Sequence, residues 1–325
     1  MPGHRLPLTV RGFLRLRWRF LSEAPLIYPP RLSPIIADPS IVLPEEAADG
    51  QWHAFAHSVF GLHHFTASQP DQWPRRSKLI RRHAMRPFIF RDAGRFYLYY
   101  ERYRPFQILF SWLTAWRWKS HIEVMSSDDL VNWTRPQIVL APDLAYQRDR
   151  RYGQSVSNPC CLKTTSGFRL YFSASLRKIA DCGFCEPLHI GAADGPTPLG
   201  PFTVRPQPLI SPEPQYAYMN LAAGAIKVIH LRDGYIGLQN GISIHDGCST
   251  SAVYAVPSRD GLNFDVANAQ LLIAPAKDKP WMASHVYAVD CRYNSRDKRW
   301  YLFFNGRNTA HWTKGKEAIG CLVSE

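Results

Sequence analysis

The stretch MRPFIFRDAGRFYLYYE (residues 85–101) alternates in side-chain character on both sides of a turn at 92–94, the pattern of two strands joined tightly. The phrase returns. SNPCCLKTTSGFRLYFSAS (157–175) turns near Ser166 and Gly167, and SHVYAVDCRYNSRDKRWYLFFNGRN (284–308) turns around 296–298. Two looser copies complete the series. ADPSIVLPEEAADGQWHAFAHS (37–58) has an Asp-Gly pair at 49–50, and AAGAIKVIHLRDGYIGLQNGIS (222–243) has one at 233–234. The starts near 38, 86, 158, 223 and 285 recur at roughly 50–70 residues, the length of a propeller blade with insertions.

A third strand trails four of these hairpins, as LHHFTASQPDQW (62–73), IEVMSSDDLVNW (122–133), LHIGAADGPTPLGPF (188–202) and SAVYAVPSRDGLNF (251–264). The expected fold is therefore all-β, a five-bladed β-propeller over residues 35–325, preceded by a basic N-terminal extension at 1–34. In such a ring the first strand of each blade lines the central channel. Its start and the end of the second strand meet at one rim. The first-strand mouths are Asp38, Arg86, Asn158, the small run near Ala223, and His285. The returning ends bring His57, Glu101, the residues 173–177, the residues 240–246 with Asp246, and Asn305 with Arg307. The scaffold repeats while its rim varies, which is how one fold builds an asymmetric site.

Composition narrows the function classes. The chain of 325 residues has 26 prolines and 13% aromatics, which suits strands and turns better than a helical bundle. A formal net charge of +13 admits nucleic acid, a membrane surface or an acidic glycan as partner. No zinc-finger spacing, RRM phrase or heptad accompanies the basic residues, so no nucleic-acid partner is expected. Arginines interrupt MPGHRLPLTVRGFLRLRWRFLSEAP at 1–25, so it is not read as a signal peptide. A basic amphipathic segment of this kind can make peripheral membrane contact, although packing on its own domain is the commoner outcome. Seven irregularly spaced cysteines do not make a secreted disulfide framework, and the single CxxC (Cys182, Cys185) falls short of a zinc site. No metal or other cofactor is expected, and a reducing, cytoplasmic setting fits the free thiols.

These phrases resemble the five-bladed propeller glycoside hydrolases, particularly family 43 and its relatives. ADPSIV (37–42) is similar to that family's first-blade motif, whose aspartate is the general base, which implies that role for Asp38. SSDDLVNW resembles its SxDLxxW phrase. The segment around His285 resembles its last blade, where a histidine near the axis often helps to hold a metal or water. Two departures stand out: Asn158 and the AAGA run occupy places where the family carries an aspartate and a glutamate acid.

The resemblance implies a carbohydrate-active protein, a glycoside hydrolase or a related transferase or phosphorylase, with a carbohydrate substrate. A noncatalytic glycan-binding or protein-interaction propeller is the alternative that the missing carboxylates favour. Glycoside cleavage needs two carboxyl groups flanking the bond. Asp38 supplies one, and Glu101, at the end of a second strand, is the leading second, ahead of Asp246 and Glu186. Arg86 and Arg307 are expected to face an anionic or hydroxyl-rich substrate, together with Asn158, His57, Asp246 and His285. Trp52, Trp281 and Tyr103 are candidate stacking surfaces for sugar rings.

Overall fold

A computed structural model describes residues 6–108 and 117–325. After a single turn of helix, α1 (Val10–Leu14), come β1 (Trp18–Phe20) and a first meander of β2 (Ala37–Val42), β3 (Trp52–Ser58), β4 (Gly61–Ala67) and β5 (Lys78–Arg82). A second meander follows: β6 (Ala84–Asp92), β7 (Arg95–Tyr103), β8 (Trp118–Ser127) and β9 (Gln137–Leu140), extended by the short β10 (Arg148–Asp149) and β11 (Gly153–Gln154). The third contains β12 (Val156–Thr164) and β13 (Gly167–Ala174). A small hairpin of β14 (Arg177–Ile179) and β15 (Phe184–Glu186) is inserted before β16 (His189–Gly195) and β17 (Thr203–Val204).

The remaining seven strands form, with β1, one eight-stranded sheet. It contains β18 (Ala222–His230), β19 (Tyr235–His245), β20 (Cys248–Ser258) and β21 (Gln270–Ile273), then β22 (His285–Asn294), β23 (Arg299–Arg307) and β24 (Glu317–Ser324). Its two halves are antiparallel meanders joined by one parallel bridge, Ser251 to His285. β1 pairs with β24, so Trp18–Phe20, read from sequence as part of an extension, forms the outer strand of the last meander. Nearby Phe13 is fully buried and meets Trp300 edge-on at 5.2 Å.

The first strands pack side by side in cyclic order. β2 lies on β6, β6 on β12, β12 on β18, β18 on β22, and β22 on β2. No single hydrogen-bonded sheet closes on itself. The strands are instead tied across the middle by side chains. Asp290 accepts the Ile41 amide at 2.6 Å and the Arg292 guanidinium at 3.1 Å, and Ser40 accepts the Ile89 amide at 2.9 Å. Lys227 donates to the Pro159 carbonyl at 2.7 Å beneath the Phe88 ring. Apolar clusters fill the gaps between neighbouring meanders, as the alternation of their strands requires.

Candidate active site

Each of the five first strands carries the same irregularity. Pairing with the second strand slips after Ala37, Met85, Ser157, Ala222 and Tyr287. Within each slip one residue has a positive φ: Asp38 (55°), Arg86 (56°), Asn158 (48°), Gly224 (70°) and Ala288 (45°). A bulge of this kind re-aims a side chain away from the strand's regular alternation. All five residues line one central cavity. Proline follows the first three, holding the chain extended beyond the bulge.

The returning strands hold these bulges in place. Asn305 accepts the Asp38 amide at 3.1 Å, His57 accepts the Arg86 amide at 3.3 Å, and Ser173 donates to the Gly224 carbonyl at 2.8 Å. Each clasp reaches from one meander into the next. His57 thus supports backbone as well as lining the cavity. Burial and the neighbouring Arg86 charge push its pKa down to about 3, so the ring is neutral.

The chemistry of the cavity lies in three carboxyl groups. Asp38 is 8% exposed, with an oxygen 3.3 Å from His57 Nδ1. Burial raises its pKa, with Arg86 and Lys227 offsetting part of the rise. The nitrogen that accepts the Arg86 amide has no proton to give, so this contact is favourable when Asp38 carries one. Glu186, at the end of β15, faces Arg86 at 3.8 Å, and burial raises its pKa against the pull of Arg86 and Arg307. Glu317, at the start of β24, pairs with Arg307 at 3.3 Å and hydrogen-bonds Tyr287; burial raises its pKa also. A buried carboxyl that keeps its proton towards neutral pH is suited to general acid catalysis.

Glu186 owes its place to an inserted hairpin that reaches both the fourth meander and the last. Asp181 accepts the amide and hydroxyl of Ser249 at 2.7 and 2.9 Å. The Trp312 amide donates to the Cys182 carbonyl at 3.1 Å, and Phe184 meets the Trp312 ring edge-on at 5.9 Å. Gly183 lies so near His311 that an added Cβ would stand 2.2 Å from the ring nitrogen. Phe184 and Trp312 therefore form an aromatic wall of the cavity.

Several sequence expectations are corrected by these positions. Glu101 does not line the cavity. It is fully buried behind Arg86, which it binds at 2.8 Å, and its other oxygen accepts the Trp118 indole at 3.0 Å, so no reacting atom reaches it. Asp246 is exposed at the turn between β19 and β20, away from the cavity. The fifth bulge falls on Ala288 rather than His285, which is tied to Ser284 at 2.8 Å and Ser249 at 3.3 Å. Burial first and Arg307 second hold the His285 pKa down at about 3.

A metal does not fit at His285. Its near neighbour Cys182 takes a hydrogen bond from the Arg307 guanidinium at 2.9 Å, and no group of three or more His, Cys, Asp or Glu among the described residues could hold an ion. Asn158 and Arg307 do line the cavity, but Arg86 and Arg307 both have carboxylate partners, so they do not make it positive. Trp52 and Tyr103 are buried in apolar clusters, and Trp281 packs against Phe304. Glu317 was missed, although its cross-strand register with Arg307 was the available clue.

No family model matches the chain, and no curated protein matches it by sequence. Solved structures do match. A thermostable family-43 glycoside hydrolase superposes with a TM-score of 0.59 at 11% identity, covering 90% of each chain. The family 43 endo-arabinanase from Bacillus licheniformis gives 0.59 at 14% identity, over 91% of this chain and 95% of that one. A member of family 130, the mannoside phosphorylases containing hydrolases of beta-1,2 mannosidic linkages in Candida mannan, gives 0.63 at 14% identity over 94% and 93%. In fold, the chain is that of the propeller glycoside hydrolases.

Proposed function

We propose that this protein is a five-bladed propeller that cleaves or transfers glycosidic bonds in its central cavity. The five meanders with cyclically packed first strands support the blade count. The domain then runs from α1 to the C-terminal strand, with β1 closing the fifth blade. The observation that carries the function is the convergence of Asp38, Glu186 and Glu317 in a cavity walled by Phe184 and Trp312.

In this reading Glu186 protonates the leaving glycosidic oxygen. Asp38, once ionised, accepts a proton from water or another acceptor, or attacks the anomeric carbon. Glu317, oriented by Arg307 and Tyr287, binds sugar hydroxyls, and the aromatic wall packs on a ring face. The raised pKa values have a consequence: activity rises as Asp38 loses its proton above the ordinary carboxylate range and falls as Glu186 loses its own. A bell-shaped kcat/KM profile is expected, with an acid limb displaced upwards.

A panel of nitrophenyl glycosides and neutral oligosaccharides tests this, with and without phosphate as acceptor. Asp38→Asn and Glu186→Gln should each lower kcat by about 10²–10⁴-fold at unchanged melting temperature. Full activity in Asp38→Asn would remove the assignment. Glycan binding without turnover would favour the noncatalytic reading, for which Asn158 and Gly224 at the second and third non-carboxylate bulges speak.

A further inference from the structure

Beside the second meander, outside the central cavity, lies a groove lined by Arg104, Arg117, Lys119, Arg148 and Arg150. All five side chains are exposed, and none is in an ion pair among the described residues. The one carboxylate in the lining, Asp149, accepts the Arg151 and Tyr152 amides at 2.8 and 2.7 Å. The contrast with the cavity is sharp, because there both arginines already have carboxylate partners.

The groove has a built floor. β11 runs parallel to β8, and Gly153 (φ 115°) comes so near that a Cβ there would lie 2.0 Å from the Trp118 carbonyl oxygen. Trp118 also links the groove to the cavity wall. It lines the groove on one side, and on the other it meets Phe184 of the cavity wall at 5.7 Å.

We propose that this groove is a second binding site, for the anionic units of a glycan chain whose end enters the cavity. This rests on the glycan-active reading above and specifies its substrate class: a polymer bearing repeated carboxylate, sulfate or phosphate groups. Five cations along a concave strip, none in an ion pair among the described residues, match such a chain in sign and in shape. A flat anionic bilayer has the right charge, but it touches only the rim of a concave strip. The cavity, with its paired arginines, takes the terminal unit through its hydroxyls, and the groove reads the charges that follow.

The test measures binding rather than turnover. Titration calorimetry would compare a short oligogalacturonate, the same oligomer fully methyl-esterified, and vesicles of phosphatidylserine and phosphatidylcholine, at low and high salt. The acid oligomer should bind at least about tenfold more tightly than its ester, and the difference should shrink as salt screens it. The Arg148→Glu/Arg150→Glu variant should lose about tenfold or more in affinity for the acid oligomer at unchanged melting temperature.

Equal binding of acid and ester, an unaffected double variant, or binding to vesicles but not to oligomers would each overturn the proposal. The two readings fail separately. Binding of the acid oligomer without cleavage of any glycan counts against catalysis alone. Cleavage of neutral glycans with no response to the charge reversal counts against the groove alone.

Discussion

Arg86 shows how a residue can be legible in position and misread in role. Its place at a strand mouth follows from the repeated phrase, but the residue is only 7% exposed and its guanidinium is committed to Glu101 and Glu186. Burial works against its charge, yet Glu101, Glu186 and Asp38 together hold it protonated more firmly than usual. Arg86→Met should therefore strand the Glu101 carboxylate in the interior and cost roughly 3–5 kcal/mol. Adding Glu101→Gln should recover part of that loss. Urea unfolding of the two variants checks this, and a loss as small as that of Arg148→Met would show the pair to be dispensable. Glu101 looked like an acid because strand alternation places it at the rim. Which way its two oxygens point depends on Arg86 and on Trp118, 17 positions away, and no local pattern encodes that.

At the scale of the strand, the bulge is the unit that makes the site. Its left-handed residue costs roughly 1–2 kcal/mol in most residues with a side chain, a cost that Arg86 and Ala288 bear in full, Asp38 and Asn158 bear in lesser degree, and Gly224 does not bear. Gly224 is restricted further by its surroundings. A Cβ there would lie 1.9 Å from the Asn240 carbonyl oxygen. Gly224→Ala should thus destabilise the protein by at least about 2 kcal/mol, whereas Ala288→Gly should be neutral or mildly stabilising. Chemical denaturation distinguishes them, and equal effects would show that the left-handed backbone does not govern these positions. The hairpins themselves were readable, because period-two alternation needs only neighbours in sequence. The fifth mouth was misplaced at His285 because the slip between Tyr287 and Val289 is invisible in a pattern that counts by twos.

Over the whole molecule, the last meander depends on the chain's beginning. β1 covers the edge of β24, while Phe13 fills the core between Trp18 and Trp300. Removing residues 1–20 exposes that edge and deletes a fully buried phenylalanine, worth roughly 1.5–3 kcal/mol alone. The melting temperature should fall by on the order of 10 °C once the lost strand pairing and the two further aromatics are included. Scanning calorimetry of the truncated protein checks this, and an unchanged melting temperature would show that β1 adds nothing to the stability of the last meander. Sequence alone determined the all-β class, the five repeated hairpins, and Asp38, Arg86 and Asn158 as rim residues, because alternation, turn residues and X-Pro steps are local properties of the chain. It did not determine the site's second and third carboxyls. Glu186 reaches the cavity on an inserted hairpin pinned to Ser249 and Trp312, and Glu317 enters beside Arg307 from the last strand. Those placements, like the raised carboxyl pKa values, arise from burial between segments far apart in the chain. Only the packed structure decides which charges lose their water and which partners replace it.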